Sequence, residues 1–175
     1  MMFHDITKES QFDIRYFEEK EAPILKNHLL NPLIQKWFPL SSETDVDLFT
    51  RNWVNFAKHR TAITALWDQQ PIGFGAIFLL PYKKVAIHTM AYLLVDPAFQ
   101  RKGVGTSLMR NLIHLSRDFR IIEKVQCEIY QGCALEGILK RLSFEKAFTQ
   151  EGFVRFSEFE TSARIIFERS NKIEV

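Results

Sequence analysis

The stretch VDPAFQRKGVGTSLM, residues 95–109, decides how this chain is read. Val95 can end a strand; Pro97, Gln100, Arg101 and Lys102 follow, and then Gly103 and Gly105 on either side of Val104. From Val104 onward, Leu108, Leu112, Leu115 and Phe119 recur at three- and four-residue intervals, which predicts an amphipathic helix to about Phe119. Strand, glycine turn and helix, in that order, build an anion site. The first four amides of a helix have no partner within it, and the helix dipole adds positive potential there. A phosphate set against them accepts several hydrogen bonds, and glycines remove the Cβ atoms that would hold it off. Thr106 and Ser107 add hydroxyl donors; Arg101 and Lys102 add charge. The turn is not a Walker A loop, because GxxxxGK[ST] is absent, and a dinucleotide fingerprint would want a third glycine where Leu108 stands.

Ahead of this turn, residues 85–95 form a nearly continuous apolar run, as expected for a central strand covered on both faces. His88 is its polar exception, on the same strand face as Tyr92. Residues 61–68 and 71–80 read as two more strands around a break at Asp68–Pro71. The first third reads as a strand over residues 12–17, then helices, with Pro32 dividing one segment in two and a Ser–acidic start near residues 41–45 opening another. Beyond the turn, residues 123–130 predict a strand with Val125, Cys127 and Ile129 on one face and Gln126, Glu128 and Tyr130 on the other. Residues 134–142 predict a short helix, and the tail predicts two or three strands with turns near Gly152 and at Thr161–Ser162. No repeat or linker interrupts the 175 residues, so one domain over 1–175 is expected.

Composition narrows the function. Apolar residues make up 46% of the chain, and the formal net charge is only +2, with Lys and Arg scattered. That excludes a disordered chain and argues against a bulk nucleic-acid binder. No apolar run is long enough to span a membrane, and residues 1–10 lack the basic and apolar regions of a signal peptide. Cys127 and Cys133 form neither a CxxC pair nor a disulfide framework, and the five His show no HExxH spacing. No metal site and a cytoplasmic setting with reduced thiols are expected.

The pattern Val-x-Pro-x-x-Gln-x-x-Gly-x-Gly, read together with the order of elements around it, resembles the acyl-CoA-binding signature of the Gcn5-related N-acetyltransferase (GNAT) superfamily. Residues 124–144 resemble its later segment, with Ser143-Phe144 where that family has a Gly-Phe pair. The resemblance implies an α+β fold: a mixed, mostly antiparallel sheet of six or seven strands flanked by four or five helices. It implies that strands four and five splay, so that pantetheine inserts between them. Backbone amides of Leu94 and Val95 would bind the pantetheine arm. Those of Gln100, Arg101, Lys102, Gly103, Val104, Gly105 and Thr106 would surround the pyrophosphate. Acetyl-CoA is then the acyl donor, and a small-molecule or protein amine the acceptor, attacking the thioester directly.

The chain departs from that family at the proton-transfer residues. Aligned backward from Ser143-Phe144, the family Asn falls on Cys133 and the family general-acid Tyr on Leu139, which carries no proton to give. Tyr130 is the substitute candidate, and Glu128, on the same strand face, is a candidate base or amine-binding group. Cys133 as a nucleophile would need a paired base that the sequence does not supply. Two other classes stay open on the residues alone: a CoA-binding regulatory or structural module with impaired catalysis, and a nucleotide-binding domain using the glycine turn. The apolar tail adds one expectation about assembly, a homodimer through the final strands.

Overall fold

The computed structural model describes residues 12–172; the reading of residues 1–10 lies outside them. A seven-stranded sheet runs in the order β1-β2-β3-β4-β5-β7-β6. Its strands are β1 (Phe12–Tyr16), β2 (Ala62–Trp67), β3 (Gln70–Leu79), β4 (His88–Val95), β5 (Lys124–Tyr130), β6 (Glu145–Arg155) and β7 (Thr161–Ser170). All neighbours are antiparallel except β4 and β5. Helices α1 (Ala22–Leu30), α2 (Pro32–Gln35) and α3 (Glu43–Ala57) lie between β1 and β2; α4 (Val104–Arg117) links β4 to β5, and α5 (Leu135–Arg141) follows β5. This is the α+β architecture that the resemblance implied.

Local chemistry sets the helix boundaries. Asn31 ends α1 in an extended conformation, and its side chain accepts from Leu33 N at 3.0 Å, so Pro32 opens a new helix. Ser42 and Asp45 form a reciprocal capping box at the start of α3. Two apolar layers cover the sheet. One packs Leu25, Leu29, Val46 and Trp53 from α1 and α3 against Phe74, Ala76 and Leu94. The other packs Leu108, Leu112 and Leu139 from α4 and α5 against Ile63, Val125, Cys127 and Phe167. Leu108 and Leu112 descend onto Gly73 and Gly75 of β3, where an added Cβ would stand 3.1 Å from each leucine. Those glycines let α4 sit low and fix where its first turn lies. Glu21 is 2% exposed, yet its carboxylate is satisfied by Arg15 at 2.9 Å, Thr64 Oγ1 at 2.9 Å and Glu18 N at 2.8 Å.

Three sequence expectations change. The central strand begins at His88 rather than residue 85, because Tyr82 O captures the amides of Val85 and Ala86 in a turn, each at 2.9 Å. Gly152 does not make a turn between strands. It lies inside β6 with φ 63°, where the register to β7 slips between Gln150 and Val154, a bulge. The tail is therefore one hairpin, β6 and β7, turning between Phe156 N and Glu160 O at 2.8 Å.

Candidate active site

The parallel seam between β4 and β5 is short. It pairs His88 with Lys124, Thr89 with Val125 and Met90 with Gln126, and then stops. Each strand keeps its antiparallel partner beyond that point: β4 follows β3 to Val95, opposite Gly73, and β5 follows β7 to Tyr130, opposite Arg164. Antiparallel ladders are the stronger pairing, so sheet twist opens the parallel seam. Between residues 91–95 and 127–130 lies a cleft of about 500 Å³. Its roof is apolar, from Leu33, Ile34, Trp37, Phe38 and Pro39 in and after α2. Its other end is the glycine turn: Gln100, Arg101, Gly103, Gly105 and Thr106 all line it, as do Leu94 and Val95.

The turn is built as follows. Asp96 Oδ1 accepts from Ala98 N at 2.8 Å, starting a tight 3-10 turn over Pro97–Phe99. Gln100 Nε2 donates to Val95 O at 3.1 Å, so this side chain braces the turn against the end of β4. Gly103 is the N-cap of α4 with φ 84°, a left-handed conformation that L side chains rarely adopt. Ser107 N donates to Gly103 O at 3.0 Å as the first helical bond, which leaves the amides of Val104, Gly105 and Thr106 ahead of it without a helical partner. Gly105 lines the cleft, and an added Cβ there would stand 2.9 Å from Ile138 Cδ1, the end of an α5 side chain. Val104 itself is core, 4% exposed. The Lys102 ammonium rests 5.1 Å from the Phe99 ring centre and is not among the lining residues, so Arg101 is the turn's cation at the cleft.

The β5 side of the cleft carries the titratable groups. Glu128 lines it and is paired with Arg164 of β7 at 3.3 Å. The Arg164 guanidinium in turn stands 4.1 Å from the Phe153 ring centre and 5.5 Å from that of Phe148. Tyr130 is 2% exposed, its ring edge-on to Phe156 at 6.1 Å, and Phe156 is edge-on to Trp37 at 6.4 Å. Burial first, and the Glu128 carboxylate second, push the Tyr130 phenol up to about 12, with Arg164 pulling the other way. Burial pushes Tyr92, across the cleft, to about 12 as well. Burial also raises Cys127 and Cys133, which keeps both as thiols, poor nucleophiles. Leu139 is fully buried in the core and does not line the cleft, so nothing at that position replaces the missing phenol. His88 stands at the closed end of the seam, away from the cleft.

Sequence reasoning missed Arg164 and Arg141. Arg164 reaches Glu128 only through the β5–β7 register, a long-range fact without a local signal. Arg141 could have been noticed from its spacing: it follows Gly137 by one helical turn on the helix that packs against the glycine turn. Among the described residues no group of three or more His, Cys, Asp or Glu is placed to hold a metal, and no helix is long and apolar enough to cross a membrane.

Comparison with known proteins agrees with this geometry. No protein of curated function matches the sequence. Among solved structures, yncA from Salmonella typhimurium, solved with its cofactor acetyl-CoA, superposes with TM-score 0.81 at 14% identity, over 93% of this chain and 95% of that one. A GNAT-family acetyltransferase from Streptococcus pneumoniae gives TM-score 0.76 at 15% identity, over 91% and 99%. A ribosomal-protein-alanine N-acetyltransferase from Brucella melitensis gives 0.76 at 17% identity, over 90% and 99%. At such identities these likenesses speak for the fold. The sequence model described as Acetyltransferase (GNAT) family matches residues 27–132, more than half of the chain, and the protein belongs to that family.

Proposed function

We propose that this protein transfers an acetyl group from acetyl-CoA to an amine, small or protein-borne, that attacks the thioester without a covalent enzyme intermediate. The observation that carries the reading is the joining of two features in one cavity: a splayed parallel seam and a helix N-terminus with unpartnered amides. The amides of residues 101–106, with the Arg101 guanidinium, fit a pyrophosphate. The freed β4 edge at Leu94 and Val95 fits an extended pantetheine arm that hydrogen-bonds as a strand would. Gln100 Nε2 already occupies Val95 O, so its side chain also holds the turn in place beside the ligand. Acetyl-CoA supplies an acyl group already activated as a thioester.

The protein's own contribution is orientation and charge control. Glu128 holds the incoming ammonium and takes its proton, with Arg164 fixing the carboxylate from behind. Backbone amides on the β4 edge polarise the carbonyl oxygen. Tyr130 keeps its proton at neutral pH and offers a hydrogen bond to the departing sulfur. A phenol near 12 is a weaker acid than an alkyl thiol at about 8.5, so outright transfer is uphill and the proton reaches the sulfur mainly through solvent. That makes the replacement of the usual phenol by Leu139 compatible with turnover. Calorimetry with acetyl-CoA, CoA and ATP tests the donor. Thiol release with a panel of amines tests transfer. Binding of ATP in preference to acetyl-CoA would contradict the reading, as would acetyl-CoA binding without thiol release for any amine.

A further inference from the structure

Aromatic rings make up much of the wall around Glu128. Trp37 and Phe38 from the segment after α2, Tyr92 from β4 and Tyr130 from β5 all line the cleft. Register sets two of them beside the acid. The last ladder pair of the seam is Met90 with Gln126. Two residues further on, Tyr92 and Glu128 point to one face of the opened seam, and Tyr130 follows Glu128 on that face. Phe38 stacks on Tyr92 with ring centres 6.5 Å apart, while Phe156 joins Trp37 to Tyr130 through two edge-on contacts. Trp37 Cη2 also comes to 4.0 Å from where a Gly132 Cβ would stand, just after β5. Trp37 is only half-buried and Phe156 is 37% exposed, so solvent reaches this apolar wall.

Charge on this wall is sparse. Glu128 is the only acid among the described residues that line the cleft. Arg164, beside it, is taken up by Glu128 at 3.3 Å and by the Phe153 ring at 4.1 Å. The lining cations, Arg101 and Arg141, belong to the glycine turn and to α5. Lys36 rests on the Trp37 ring at 4.5 Å and is not among the lining residues. A polyamine would set its second ammonium among rings with no carboxylate to meet it. An α-amino acid would bring a carboxylate beside Glu128, where Arg164 is already paired. A primary amine on an aromatic body suits both features, with its ammonium at Glu128 and its ring against the rings of the wall. Along β5, Glu128 and Tyr130 stand about 7 Å apart, a span that suits a ring joined to nitrogen by two carbons.

We propose that the acceptor is a small primary arylalkylamine without a carboxylate, and that Trp37 sets this choice. The inference rests on the acetyl-transfer reading above. The neutral amine nitrogen bonds to the thioester carbon, the C–S bond breaks with its electron pair on sulfur, and the surplus proton on nitrogen leaves through Glu128 to solvent. The test measures kcat/KM by thiol release at saturating acetyl-CoA. The amines are phenethylamine, butylamine, phenylalanine, spermidine and a short peptide with a free N-terminal alanine. Phenethylamine should exceed butylamine by about 10-fold or more, the worth of a well-placed aromatic contact. It should exceed phenylalanine and spermidine by more, because each brings a second charge that the wall leaves unpaired. Trp37→Ala should bring the ratio of phenethylamine to butylamine down towards one, and Trp37→Phe should keep most of it. Glu128→Gln should slow both amines and leave the ratio in place. A merely structural role for Trp37 would slow both amines alike. A wild type that prefers spermidine, phenylalanine or the peptide would overturn the proposal while leaving acetyl transfer standing. So would a wild-type ratio near one, or a ratio that survives in Trp37→Ala. Thiol release with none of the five amines would overturn it and count against acetyl transfer itself.

Discussion

The two ends of the β4–β5 seam are made from the same pair of strands and behave in opposite ways. At the closed end the backbones are joined, with Ile87 O accepting from Glu123 N at 2.7 Å and Lys124 N at 3.1 Å. Side chains there tie each strand to its antiparallel neighbour: Lys124 reaches Glu168 of β7 at 2.6 Å, and Thr89 Oγ1 donates to Phe78 O of β3 at 2.9 Å. At the open end the strands share no ladder, and the space between them is lined by apolar and polar side chains, among them Arg101, Arg141 and one acid, Glu128. The difference teaches that the site is a product of pairing, not of composition. Each strand keeps its antiparallel partner to the end, and the weaker parallel ladder is the one that gives way.

The largest effect should come from placing charge at the open end. Gly105→Glu is expected to weaken CoA binding about 30-fold or more, or ~2 kcal/mol, through repulsion and a filled contact. Because its Cβ also meets Ile138, the double variant with Ile138→Ala separates the two causes. Calorimetry should find the double variant still weak; recovery to wild-type affinity would assign the loss to packing with α5 instead.

Next is the phenol. Tyr130→Phe should lower kcat by about 10-fold at most, the worth of one hydrogen bond to the departing sulfur, while CoA affinity stays constant. Stopped-flow single turnovers would check that chemistry, not release, has slowed. Leu139→Tyr should not compensate. Leu139 is fully buried away from the cleft, so a phenol there overpacks the core, at a cost of about 1–3 kcal/mol in a denaturant titration.

The smallest effect belongs to the closed end. The hydrogen bond from Lys124 holds the Glu168 carboxyl below its usual range. A carboxyl with a lowered folded pKa stabilises the fold above its unfolded value, about 4.3, and loses that contribution as pH falls further. Glu168→Gln should therefore lower Tm slightly at neutral pH, since the pair is partly exposed and screened, and the gap from wild type should close on acidification below that value. CoA affinity should not move. A large change in CoA affinity would mean that the two ends are coupled.

Much of this was legible in the sequence, for local reasons. The period of α4, the capping residues of α3 and the glycine turn announce themselves within a few residues of chain, and their order predicted the fold. The site was less legible where it depends on register. Tyr130 and Glu128 were found because they alternate on one strand, but Arg164 is brought to Glu128 by a hairpin far along the chain. The surroundings of the two turn glycines also needed coordinates: a left-handed backbone at Gly103, the end of the Ile138 side chain beside Gly105. Lys102 looked equivalent to Arg101 in sequence; only the Phe99 ring beneath it separates the two.

Hydrogen exchange followed by mass spectrometry, with and without acetyl-CoA, tests the central claim that the open end of the seam is the acyl-CoA site. The amides of residues 91–95 and 101–106 should gain protection on binding, while those of residues 88–90, already held in the closed ladder, should not change. Protection absent from the open end, or gained equally at both ends, would contradict it.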